Sequence, residues 1–256
     1  MISWKMAMIP RPSSLLLLAM LLGGCTSPPP ATVATSASAT PAQSFAASRA
    51  DSGATGDSRS ERAGRKSRRA RPAANSQPGA FDFYLLTLSW SPEYCATHSS
   101  SSECGSHPGF VVHGMWPQNN DGTYPENCSN APGPANPQQY LDLIPTISLI
   151  NHEWATHGTC SGLAPDAYFA AIRSAFQAVK IPSAFAKVSQ QEMLAPSAII
   201  DDFAAANPKW PSGSIALSCG KNYLTAVEVC LSKTLAAEAC QNVHTCGATV
   251  VKITPQ

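Results

Sequence analysis

His152-Glu153-Trp154-Ala155-Thr156-His157-Gly158-Thr159-Cys160 places two histidines, a carboxylate and a cysteine within nine residues. About forty residues earlier, His113-Gly114-Met115-Trp116-Pro117 supplies a third histidine. Half of the six histidines of the chain thus fall in two short segments. Histidine gains and loses its proton near neutral pH, so histidines gathered in this way point to proton transfer or to metal binding. A helical zinc motif needs its histidines four residues apart, on one helix face. His152 and His157 are five apart, which on a continuous helix turns them roughly 140° from each other. The spacing argues against a shared helical metal site, and no metal or other cofactor is expected. Two histidines and a carboxylate aimed around one substrate fit better.

Both segments resemble the active-site segments of the T2 ribonucleases. The resemblance starts at Phe83-Tyr84-Leu85-Leu86-Thr87-Leu88-Ser89-Trp90-Ser91-Pro92, which is similar to the family's first strand, and extends to the C-terminal cysteines. It covers about residues 81–256. The two segments occur in the family's order and at a family-like separation.

The resemblance implies an endoribonuclease that cuts RNA by transesterification through a 2′,3′-cyclic phosphate, without a metal. By resemblance His157 is the base and His113 the acid. His152 would hold the phosphate, and Glu153 would hydrogen-bond into the transition state or position a histidine. DNA lacks the 2′-hydroxyl nucleophile and should not be cut. Trp116, Gln118 and Tyr124 lie where the family binds a base, and aromatic faces stack on any base with modest preference. Core packing is the competing reading of such aromatics, and it suits Trp154 better.

Two positions depart from the family pattern. Thr156 stands where relatives often carry lysine, and Gln118 stands where some carry an acid that reads the base. Plant relatives also have a glutamine near Leu88 or Ser89 that lines the second base site, and this chain has none there. A catalytically poor relative that binds RNA or an envelope partner is the alternative reading. The four matched catalytic positions are intact, which speaks against it.

Outward from these segments, the 256-residue chain divides by composition. In residues 1–25, Lys5 and Arg11 precede the apolar run Leu15–Leu22, and Gly23-Gly24-Cys25 follows. This is the pattern of a secretory signal, with an apolar run too short to span a bilayer. Leu22-Gly23-Gly24-Cys25 also resembles a bacterial lipobox, which makes Cys25 the candidate for lipidation and membrane anchoring. Residues 26–79 are rich in Ala, Ser, Thr, Pro and Gly and read as a disordered tether. Arg59, Arg62, Arg65, Lys66, Arg68, Arg69 and Arg71 form a basic run within it. Ten Lys/Arg against three Asp/Glu give residues 1–79 a net charge of +7. Seven against thirteen give residues 80–256 a net charge of −6. A negative domain collects RNA poorly, so the basic run is either a polyanion-binding arm or a solvated contact with anionic envelope surfaces.

The domain, 80–256, reads as α+β, with a central, mostly antiparallel sheet and packed helices, because its elements follow no regular β-α-β order. Phe83–Trp90 is apolar on both faces, as a buried strand should be. Phe110-Val111-Val112 reads as a short strand that carries His113, with Gly114 letting the backbone turn. Asn119 to Gly122 reads as a turn. Gln138 to about Ile150 reads as mostly helical with a break near Pro145, and the second histidine segment follows it. Pro165–Val179 and Ser197–Ala206 read as helices, and Ile215–Cys219 and Tyr223–Leu231 as strands.

Eight cysteines in an exported domain imply four disulfides, and sequence alone leaves 105 pairings. The family resemblance narrows these to Cys95–Cys104, Cys128–Cys160, Cys219–Cys246 and Cys230–Cys240. A metal-binding reading of the cysteines is weak, since no Cys-x-x-Cys pair occurs. The expectation is an exported monomer, periplasmic or held at the bacterial outer membrane as a lipoprotein, otherwise secreted, with RNA as its partner.

Overall fold

The computed structural model describes residues 71–74, 76–105 and 109–256. The signal segment, Cys25 and the basic run from Arg59 to Arg69 lie outside the described residues. In chain order the main elements are β1 (Arg71–Pro72), β2 (Phe83–Trp90), α1 (Ser91–Thr97), β3 (Phe110–Gln118), β4 (Thr123–Tyr124), α2 (Ile147–Thr156), α3 (Pro165–Ala178), β5 (Glu192–Leu194), α4 (Pro196–Ala206), β6 (Ile215–Gly220), β7 (Tyr223–Leu231) and β8 (Val251–Ile253). The sheet runs β3-β2-β7-β8-β5, with β6 also paired to β7. All of its pairings are antiparallel except the single bridge between β7 and β8. The α+β expectation holds. No described helix is long and apolar enough to cross a membrane.

The two faces of β2 do different jobs. Tyr84, Leu86, Leu88 and Trp90 enter the main core, with Ile172 of α3 and Phe203 of α4 in the same cluster. Phe83 and Leu85 join a smaller cluster with Cys230, against which Trp116 and Val243 pack. Thr87 and Ser89 continue that second face. Paired residues on neighbouring strands point to the same side of a sheet. Thr87 pairs with Gly114 on one side and with Glu228 on the other, so both belong to this second face.

Three local readings need correction. The strand carrying His113 runs on through Pro117 to Gln118, and Gly114 sits inside it rather than at a turn. Pro117 is tolerated because β3 is an edge strand, where a missing N–H costs no ladder bond on the open side. The expected helix from Gln138 is only a single 3₁₀ turn, Pro137–Tyr140. The helix proper begins after Pro145, at the cap Thr146, whose hydroxyl accepts from the Leu149 N–H. Such a cap is worth about 1 kcal/mol. This delay moves His152 and Glu153 into α2 instead of behind it. Strands β5 and β8 are too short to show an alternating pattern, and sequence reading missed them.

The end of the expected tether is docked. β1 pairs in parallel with β4, the Ala73 N–H donates to Tyr124 O at 2.8 Å, and the Gly79 N–H donates to Cys160 O at 2.8 Å. The stretch from Arg71 to Gly79 therefore lies along the domain, which composition could not reveal because main-chain bonds hold it.

Four disulfides are present, with the pairings that the resemblance implies. Cys128–Cys160 ties the loop after β4 to the end of the second histidine segment, and two bonds reinforce it. The Asn127 N–H donates to Thr156 O at 2.8 Å, and the Cys128 N–H donates to Thr159 Oγ1 at 3.2 Å. Replacing both cysteines by alanine should lower the unfolding free energy by ~2–5 kcal/mol, as for other native disulfides. Urea denaturation measures this, and an unchanged midpoint would show that the bridge adds nothing to the fold.

Candidate active site

The α2 helix has a buried face made by Ile150, Glu153 and Trp154. Their spacing of three and four residues is that of an apolar stripe, with a carboxylate in the middle of it. Glu153 is fully buried. It fits because β3 has a glycine beneath it. A Cβ on Gly114 would stand 1.9 Å from Glu153 Oε2, well inside contact distance. The same oxygen accepts a 2.8 Å bond from Trp116 Nε1.

His113 reaches this carboxylate through an irregularity in the sheet. Thr87 pairs with Gly114 and Leu88 with Val112, so His113 is the extra residue of a bulge. Bulges re-aim side chains and recur beside functional sites. The His113 Nδ1 lies 3.2 Å from Ser89 Oγ, while Nε2 stands 3.6 Å from Glu153 Oε1. The serine thus holds one ring nitrogen and leaves the other facing the carboxylate.

His157 closes the site from the end of α2. The helix stops at Thr156 and His157 is its C-cap, with its N–H still bonded to Glu153 O at 3.0 Å. The His152 and His157 rings are 6.3 Å apart, and His157 also lies against Trp116 at 5.2 Å. Ligand atoms of His152, Glu153 and His157 come within 4.8 Å of one another, so these three residues are placed to hold a metal ion. The spacing argument against a shared metal site fails here, because the imidazole side chains are long enough to converge from positions five apart. Trp154, by contrast, is core, as expected.

Burial sets the protonation of the site. Glu153 is pushed from 4.5 up to about 8 by loss of hydration, against a smaller downward pull from the Trp116 N–H. His157 is pushed down to about 3 by burial and then by the neighbouring His152 and His113. His113 is lowered by burial and then by His152. At neutral pH the resting site therefore holds a protonated carboxyl and two neutral imidazoles. Glu153 Oε1 and His157 Nδ1 are buried without a hydrogen-bond partner among the described residues. Unpaired buried polar atoms are costly, and in folded proteins they are met by water or by a ligand.

A cleft of about 1080 Å³ opens beside these groups. Trp116, Gln118 and Tyr124 line it together with His152 and His157, so the residues expected to bind a base share one cavity with two of the histidines. Thr156 also lines it, with its hydroxyl 3.4 Å from His152 Nδ1. Sequence reading missed Ser89 as a partner of His113, although its place on the second face of β2 was a usable signal. It also missed Tyr168, whose hydroxyl donates to Met115 O at 2.7 Å and braces β3 from α3.

The profile of the Ribonuclease T2 family matches residues 81–240, more than half of the chain. The chain belongs to the ribonuclease T2 family. A ribonuclease of Aeromonas hydrophila is 46% identical over 92 residues, which cover 35% of this chain and 42% of that protein. Ribonuclease DdI of Dictyostelium discoideum is 29% identical over 177 residues, covering 62% and 77%. The fold is similar to that of ribonuclease MC1 from bitter gourd seeds, with a TM-score of 0.54 and 23% identity over 67% of this chain and 99% of that one. The chain spans less than half of the length of the Aeromonas relative.

The raised Glu153 value has a stability consequence. The unfolded carboxyl ionises near 4.5 and the folded one near 8, so ionisation favours the unfolded chain increasingly as pH rises between them. Below 4.5 both are protonated and the penalty is absent. Glu153→Gln keeps an acceptor for Trp116 and removes the penalty. Its melting temperature should rise relative to the parent at pH 8, with little change at pH 4. Equal shifts at both values, read by thermal melts, would contradict a protonated buried carboxyl.

Proposed function

We propose that this protein is a metal-independent endoribonuclease, and the observation that carries the reading is the convergence of His113, His152, Glu153 and His157 beside the cleft that Trp116 lines. In the proposed reaction the 2′-oxygen of RNA attacks the adjacent phosphorus and its proton passes to His157. The bond from phosphorus to the 5′-oxygen breaks, and that oxygen takes a proton from His113. The products are a 2′,3′-cyclic phosphate and a 5′-hydroxyl, with slower opening to a 3′-phosphate. His157 is lowered by burial and by its two histidine neighbours, so its ring is neutral and has a nitrogen free to accept the proton. Glu153 in its protonated form is a donor to a phosphoryl oxygen and does not repel it, and His152 at the cleft wall supplies a second phosphate contact. DNA offers no 2′-nucleophile to this machinery.

We further propose that the protein is exported and tethered at the bacterial envelope through Cys25, and that it acts as a monomer. Four disulfides support an oxidising compartment.

The test is cleavage of RNA and of DNA by the purified protein, with and without EDTA. RNA should be cut and DNA should not, and EDTA should leave the rate unchanged. Loss of activity in EDTA with recovery in zinc would make His152, Glu153 and His157 a metal centre. His113→Phe and His157→Phe should each lose ~10²–10⁴-fold in kcat, and near-parental activity in either would refute its role.

The pH profile follows from the shifts. His157 must be neutral, which fails as pH falls towards 3, and His113 must be protonated, which fails as pH rises below its ordinary 6.5. A plot of kcat/KM against pH should be a bell with its maximum on the acid side of neutrality. A maximum at pH 8 would contradict a pair of histidines both held below the usual value.

A further inference from the structure

Glu228 is a lone acid in the otherwise uncharged strand β7, and the reaction above does not use it. It pairs with Thr87, which pairs on its other side with Gly114, the seat of Glu153. Two strand spacings separate Glu228 from Gly114, about 10 Å across the same face of the sheet. The residue is 6% exposed and lines the cleft shared by Trp116 and His157. Ser218 Oγ donates to its Oε1 at 2.8 Å, and no cation is paired with it among the described residues. A carboxylate in the floor of a cleft that must take a polyanion repels it, unless donors on the ligand face the carboxylate. The donors that RNA carries are the N–H groups of its bases.

We propose that Glu228 is a specificity residue that reads guanine, accepting from its N1–H and N2–H groups. Guanine alone among the four bases offers two adjacent donors on one edge, which matches the two acceptor oxygens of a carboxylate. Adenine and cytosine each present one amino group beside an acceptor, and uracil presents one N–H between two acceptors. Ser218 holds one oxygen in place without using its remaining lone pair. Burial pushes the carboxyl up, and the Ser218 hydroxyl opposes that shift. The cleft, about 1080 Å³, has room for a purine nucleotide. The proposal rests on the endoribonuclease reading, and it places base discrimination on β7, across the cleft from Gln118.

The test compares the protein with its Glu228→Gln variant on GpA, UpA, ApG and ApU. The variant turns an amide N–H₂ towards the guanine donors and should lower the guanosine-to-uridine ratio of kcat/KM roughly tenfold at one of the two positions, the size of a lost paired base contact. A fall of less than threefold at both positions overturns the proposal and leaves Glu228 as a strand-to-strand tie to Ser218. If the variant does not melt cooperatively, Glu228→Asp, which pulls the carboxylate back by one carbon, takes its place, and binding of 3′- and 5′-GMP and of 3′- and 5′-UMP is compared with the parent by calorimetry. The guanine-to-uracil preference should fall at least threefold in the variant for one of the two phosphate positions, and an unchanged preference for both overturns the proposal. If the parent protein cuts none of the four dinucleotides, the endoribonuclease reading fails, and the same comparison of parent and variant still decides whether Glu228 reads guanine.

Discussion

The packing of Glu153 on Gly114 is the constraint around which the site is built. A fully buried carboxyl is tolerated only where its ionisation is suppressed or its oxygens are met. Here one oxygen is met by the Trp116 N–H, and the other faces His113 across 3.6 Å. The contact requires a strand with no Cβ at residue 114 and a helix that presses a polar residue into its own apolar stripe. It also requires the bulge that turns His113 inward. Each of these is a local departure from regular structure, and the surrounding core keeps them in place. Tyr168 bonds the β3 backbone from one side, and Cys128–Cys160 ties down the chain just beyond His157.

β2 was legible as a run apolar on both faces, and α3 as a helix opening at Pro165, because burial writes itself into sequence. The placement of the histidines was legible only as proximity along the chain. Their meeting depends on side-chain reach at the end of α2, and their place on α2 at all depends on Thr146 capping the helix late, after Pro145. A reading that assumes a continuous helix puts His152 and His157 on different sides. At the helix end the long side chains of His152 and His157 still bring their ligand atoms together with those of Glu153. The bulge at His113 was illegible for a related reason. A register shift is a property of two strands, and neither strand alone carries its signature.

Gly114 shows how a correct residue can carry a wrong reason. Its freedom of backbone suggested a turn, yet it lies within β3 and serves by leaving space. The docked stretch from Arg71 to Gly79 is the converse. Its composition is that of a tether, but three main-chain contacts, to Thr123–Tyr124 and to Cys160, hold it along the domain. Backbone pairing of this kind uses groups that every residue has, so composition is blind to it.

Charge ties the site to the rest of the chain. Residues 80–256 carry a net −6, an unpromising surface for RNA. The site offsets this by keeping its own acid protonated. With Glu153 near 8 and both His113 and His157 lowered, burial leaves these three groups close to neutral. An arriving phosphate favours positive charge on the imidazole nearest to it, and an ionised Glu153 would favour it further across the 3.6 Å gap to His113. On the proposed mechanism, binding itself then draws a proton onto the histidine that must donate one. Glu153 keeps its own proton on that mechanism, since burial raises its carboxyl to about 8 while His113 is lowered, so the proton that His113 gains comes from solvent. On the proposed mechanism, the burial that costs stability in the free protein is what keeps the acid beside the phosphate uncharged.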